Sequence, residues 1–179
     1  MNDLPLKRRF VSCSVLALIL AATILDGLLS GGNVDRLLVA TPAWHQLGLS
    51  AWAEFSRYAD LGNGVVVYPA MALGGTAASV LAAILFVSEM RSVRGVGLPI
   101  ALAAVLMLVA LPFSLLATPF MLSLRHMDAG NLPALTSAFS GAHYWGRLQG
   151  VFHVAAFFAN LWSIAAFAGR NPRERQVES

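Results

Sequence analysis

The segment HYWGRLQGVFHVAAFFAN, His143 to Asn160, sets two histidines, an arginine, a glutamine and an asparagine within a long apolar stretch. On a helical wheel Trp145, Gln149, His153, Asn160 and Ser163 fall within an arc of about 80°. Leu148, Val151, Phe152, Val154, Ala155 and Phe158 take the opposite face. A polar stripe of this kind must meet protein or a wet cavity, because lipid would leave its groups unsatisfied. His153 lies roughly two turns into the segment. A neutral imidazole at that depth needs partners for both ring nitrogens.

Three kinds of chemistry suit such a stripe. The plainest is hydrogen bonding between helices, common in membrane bundles at well under ~1 kcal/mol per contact. A metal or haem site would need convergent ligands, which His45, His126, His143, Asp60 and Asp128 could offer. No histidine pair has HxxxH spacing, however, and His143 and His153 stand about 80° apart on the wheel. We therefore assign no metal and no cofactor. The third is a small-molecule site lined by Trp145, Gln149, Asn160 and Tyr68, with His153 as general base or hydrogen-bond donor. Apolar walls with a few placed polar groups define such pockets.

The elements that position these residues follow from composition. The chain has 179 residues, 58% hydrophobic and 12% charged, whereas soluble domains carry about a quarter charged residues. Four windows reach membrane-spanning length, at about residues 10–30, 65–88, 96–121 and 145–168. They imply one integral membrane domain over residues 1–179. Lys7, Arg8, Arg9, Arg91, Arg94, Arg170, Arg173 and Arg175 share one side if all four spans cross, against Arg36, Arg57, Arg125 and Arg147 on the other. That asymmetry puts both termini in the cytoplasm and makes this a multi-pass protein of the cell membrane. It leaves no basic patch for nucleic acid, despite a net charge of +3. The partners expected are the lipid bilayer and a small hydrophobic ligand, and the sequence leaves room for a homo-oligomer. Cys13, the single cysteine, cannot form an internal disulfide. The basic start and apolar run also describe a signal peptide, but the run is long and lacks a clear A-x-A site, so the first helix is expected to be retained.

Between the spans, Ser30-Gly31-Gly32-Asn33 reads as the stop of the first helix, with Asp26 in its last turns as a snorkelling or hydrogen-bonded carboxylate. Thr41-Pro42 reads as a helix cap, and AWHQLGLSAWAEFSRYAD as one amphipathic helix lying in the membrane interface or folding back over the bundle's mouth. Gly62-Asn63-Gly64 breaks it before the second span. Gly74 with Ala78 and Gly75 with Ser79 are small-xxx-small pairs for close helix packing. Glu89–Gly97 is a tight hairpin. Pro112 should kink the third span, and Pro119 should kink or end it. Leu122–Tyr144 reads as a second loop with turn chemistry at Asp-Ala-Gly-Asn and Leu-Pro, and Asn171–Ser179 as a frayed tail. The expected fold is an all-α, up-down-up-down bundle of four transmembrane helices with an interfacial helix in the first external loop.

The four spans, the long segment TPAWHQLGLSAWAEFSRYADLGNGVVVYP and the start YWGRLQGVFHVAAFFANL of the last span together resemble the anthrone oxygenase-like family of four-helix integral membrane proteins. The resemblance covers roughly residues 10–168. It rests on Pro42 after the first span, Pro69 near the start of the second, and a Trp/Arg/His pattern mapping to Trp145, Arg147 and His143 or His153. It implies a cofactor-free oxygenase that converts a polyketide anthrone to an anthraquinone, with a histidine as base. The alternative class is a non-enzymatic structural or assembly subunit whose polar stripe is interhelical packing.

Overall fold

The computed structural model describes residues 4–90, 95–128 and 130–169, with side chains from residue 11 onward. Arg91, Arg94, Arg170, Arg173, Arg175, the tail Asn171–Ser179, and the side chains of Lys7, Arg8 and Arg9 lie outside the described residues. Among the described residues there is no strand. The helices are α1 (Leu4–Asp35), α2 (Thr41–Leu47), α3 (Leu49–Tyr58), α4 (Gly64–Glu89), α5 (Gly97–Ser123) and α6 (Leu132–Ala168). Four helical stretches are long and apolar enough to cross a membrane, which makes the chain consistent with an integral membrane protein. α1 packs on α4 and α6, and α5 packs on the same two, closing a four-membered ring.

Several turns expected from sequence are helical. Ser30-Gly31-Gly32-Asn33 does not stop the first helix, which runs to Asp35 and continues through a wider π-helical turn, Arg36–Ala40, into α2. Glycine lowers helix propensity by only about 1 kcal/mol, and packing outweighs it here: Gly150 of α6 sits against the Asn33 side chain. Thr41 is consequently no cap. Its backbone is helical, and its hydroxyl donates to the Arg36 carbonyl.

The amphipathic segment is two helices rather than one. Gly48 divides them at φ 94°, a left-handed conformation that favours glycine. A second π turn, Ala59–Asn63, joins α3 to α4, with a non-helical break at Gly62. In the fourth span, Leu132-Pro133 is not a loop but the first turn of α6, where proline needs no hydrogen-bond partner. Asn131 caps it by accepting from the Ala134 amide at 3.2 Å. α6 has 37 residues, about 55 Å of helix, well beyond the ~30 Å hydrocarbon core. α5 runs helical through Pro112 and Pro119 to Ser123.

Large apolar side chains gather in two separate cores. One is at the N-terminal end of the bundle: Val15, Ile19, Phe86, Met90, Val96 and Ile100. The other caps the opposite end, where Trp44, Trp52 and Ala53 meet Leu124, Leu135 and Phe139. Trp52 is 1% exposed and meets the Phe139 ring edge-on at 5.1 Å. Arg57 ties α3 to the turn after α5, donating from Nε to the Leu124 carbonyl at 2.9 Å and from Nη2 to the Met127 carbonyl at 2.6 Å.

Arg36 and Asp60, one from each π turn, form an ion pair that closes the base of the α2–α3 excursion. The Arg36 guanidinium also lies 6.0 Å from the Trp44 ring and 5.8 Å from the Tyr68 ring. Asp60 is buried, whereas the Arg36 side chain is 36% exposed, so solvent screens part of the attraction. We expect Arg36→Ala to cost about 1–3 kcal/mol by stranding the Asp60 carboxylate. The double variant Arg36→Ala/Asp60→Ala should lose less, and thermal unfolding in detergent would measure both.

Candidate functional site

Between the two apolar cores lies a layer of buried polar groups. The inward face of α1 carries Asp26 and Ser30 one helical turn apart, with half-buried Asn33 beyond them. α6 contributes His153, Asn160 and Ser163, separated on the same face by Ala156 and Ala159. α4 contributes Gly75, Thr76 and Ser79. α5 closes the layer with Met107 and Ala110. Small residues at Gly75, Ala156 and Ala159 bring the backbones close enough for short side chains to reach across.

The centre of the layer is Asp26. Its side chain is 0% exposed, and Asn160 Nδ2 donates to its Oδ2 at 2.7 Å. Oδ1 faces Gly75 of α4, and the Met107 methyl borders the same face of that glycine. No hydrogen-bond partner meets Oδ1 among the described residues. Contacts step up α1 as they step down α6: Asp26 meets Asn160, Gly27 meets Phe157, and Asn33 meets Gly150. That register sets Ser30 level with His153. Both are buried, and neither the Ser30 hydroxyl nor either His153 ring nitrogen has a hydrogen-bond partner among the described residues. Ser79 is also buried without one. Thr76 and Ser163 instead satisfy themselves on their own helices, donating to the Ala72 and Ala159 carbonyls.

The residues singled out by sequence separate here. His153 and Asn160 share the buried face. Gln149 is half-buried, one turn beyond His153. Trp145 is half-buried and stacks on Phe113 of α5 at 6.1 Å between centroids. Phe113 in turn stacks on Phe152 at 5.4 Å, which makes an aromatic wall along the α5–α6 seam. Tyr68 is 43% exposed and lies beside Arg36, apart from the polar layer.

Of the two roles expected for Asp26, the structure shows the hydrogen-bonded one; with His153 it is fully buried, deeper than its place near the end of the first span suggested. The signal was available: Asp26, Ser30 and Asn33 recur at helical spacing on the face that also carries Val15 and Ile19.

His143 belongs to the aromatic cap. Its Nδ1 donates to the Phe139 carbonyl at 2.8 Å, and its ring lies between Trp44 at 5.8 Å and Trp52 at 5.9 Å. His45 meets the Phe139 ring at 5.3 Å, and Asp60 is taken by Arg36. Among the described residues no three His, Cys, Asp or Glu side chains group as metal ligands.

Compared with known protein families, curated proteins and solved structures, the chain matches none. The geometry of the polar layer is therefore the basis for any functional reading. The layer's tightest approach gives a direct check. A methyl group at Gly75 would collide with the Asp26 carboxylate, whereas one at Gly74 would come within 3.1 Å of the flexible end of Leu25. Gly75→Ala should therefore cost about 1–3 kcal/mol of stability and Gly74→Ala clearly less, as read from paired melting curves.

Proposed function

We propose that the chain is an integral membrane bundle that binds a small hydrophobic aromatic or quinone-like molecule against its polar layer. The observation that carries this reading is His153. It is fully enclosed by the bundle, with two ring nitrogens that no described side chain or carbonyl engages. A buried polar group left without a partner costs about 1–3 kcal/mol. A ligand with a hydroxyl or carbonyl handle would recover that cost. The Trp145–Phe113–Phe152 stack supplies an aromatic surface along the neighbouring seam. Asn160 orients the site through its bond to Asp26, and Gln149 is the next polar side chain beyond His153.

In the membrane, the four helices cross in alternating directions, with both termini cytoplasmic and α2–α3 at the opposite interface. Side-chain pairs support this topology: Leu25 meets Gly74, Phe86 meets Gly97, and Phe120 meets Gly141. The placement of the basic residues supports the orientation. Exposed Leu47, Phe55 and Tyr58 give the α2–α3 arm the apolar and amphipathic side chains that favour an interfacial position.

The resemblance to the anthrone oxygenase-like family extends the reading to a reaction. His153 would take a proton from an anthrone, leaving an electron-rich carbanion or phenolate that dioxygen oxidises. Overall the CH2 group and O2 become C=O and H2O, and no cofactor enters the balance. This step rests on family analogy.

A second reading has its own support. The Asn160–Asp26 bond joins the first and last spanning helices directly, as interhelical glue would in a structural or assembly subunit. Mass spectrometry and absorption spectroscopy of the purified protein separate the two. The ligand reading expects a co-purifying aromatic or quinone-like compound that is lost in both His153→Ala and His153→Gln. If the compound is retained unchanged in both, the role given to His153 is wrong. If nothing co-purifies with the wild type and the variants keep its stability, the structural reading stands.

A further inference from the structure

The buried polar groups of the layer, among them the unpartnered Asp26 Oδ1, Ser30, Ser79 and His153, are not scattered. Along α1 and its neighbours they form a file: His153 and Ser30 on one level, Asp26 with Asn160 on the next, and Ser79 with Ser163 beyond. α1 advances about 6 Å between Ser30 and Asp26, and about as far again to Ala22, the level of Ser79. Successive levels are thus too far apart for direct hydrogen bonds. They are well spaced for bridging by water, which needs two to four polar partners.

The two ends of the file differ. Towards the N-terminal end it stops at Val15, Ile19, Phe86 and Ile100, none more than 4% exposed. Towards the capped end it continues through Asn33 and Gln149, both polar and only half-buried.

From this we propose that Asp26 is a proton-exchange site reached by a water file from the Asn33 end of the bundle alone. In the exchange the Asp26 carboxyl gives its proton from Oδ1 to water, and the resulting carboxylate remains held by the Asn160 amide. Re-protonation follows the same route in reverse. The groups facing Asp26 allow it. α6 presents Asn160, with His153 the titratable side chain of the same face one level away. α4 presents Gly75, and α5 the methyl of Met107. None of these is a fixed cation that would hold Asp26 permanently as an ion pair, and no second carboxylate among the described residues faces it to compete for its proton.

The inference uses the same polar layer as the proposed ligand site but does not depend on an organic ligand. It can therefore be tested in ligand-free protein, and its failure would leave the role of His153 untouched.

The experiment is infrared difference spectroscopy on vesicles sorted for one orientation by capture on an N-terminal tag, with pH stepped on one side at a time. The expected result is a carboxyl band that is absent from Asp26→Asn and follows pH on the Asn33 side only. Asn33→Leu should slow that response, and Ile19→Ala should admit the opposite side. If Asp26→Asn does not fold, isotope-labelled aspartate combined with Asp26→Glu assigns the band by its loss. Three outcomes overturn the proposal: no titrating Asp26 signal while the protein remains folded, a signal that follows the N-terminal side, or one that follows both sides equally.

Discussion

The hydrogen bond from Asn160 to Asp26 is the constraint on which the rest of the bundle turns. A carboxyl group buried this deeply must find its polar partners inside the bundle, so its surroundings are arranged around it. Asn160 fixes the register of α6 on α1 through this bond. Once that register is set, Gly27 must accept the Phe157 ring, and Gly150 must lie on Asn33. On the other flank, Asp26 leaves no room for a side chain on α4, so position 75 is glycine. One buried polar pair thereby accounts for close contacts along two helix–helix seams.

Separation into two cores has the same origin. Where the bundle axis holds polar groups, Met107 is the large apolar side chain that the layer includes, and the two apolar clusters form above and below. The N-terminal core is an ordinary aliphatic and phenylalanine cluster. The cap is different, because it is built largely from α2, α3 and the start of α6, elements that extend the spanning helices rather than cross beside them. The Arg36–Asp60 pair and the two Arg57 bonds hold this cap to the bundle. Whatever reaches the polar layer from that side must pass under these fastenings.

Much of this was legible in the sequence. Apolar windows of sufficient length located the four helices long and apolar enough to cross a membrane, and helical spacing placed His153, Asn160 and Ser163 on a common face. The small pairs at Gly74–Ala78 and Gly75–Ser79 marked α4 as the helix that a neighbour approaches closely. The helix limits were not legible. Ser30-Gly31-Gly32-Asn33 and Leu132-Pro133 carry turn chemistry, and only tertiary packing keeps them helical. Gly48 is the reverse case: the amphipathic pattern runs through it as one helix, but its positive φ ends α2 and starts α3. Nor could one sequence reveal that Asp26 and Asn160, 134 positions apart, share a hydrogen bond. Asp26 alone reads as a residue near an interface and Asn160 as part of an inward stripe, and only the register between helices makes them a pair.

In a bilayer the Asp26–Asn160 pair should persist and anchor the polar layer. Solid-state NMR on the protein in lipid, with carbon-13 aspartate and nitrogen-15 asparagine, measures it directly. The account predicts a through-space cross-peak between the Asp26 side-chain carboxyl carbon and the Asn160 side-chain nitrogen that disappears in Asn160→Leu. No such cross-peak in the wild type, or one that persists in the variant, would contradict it.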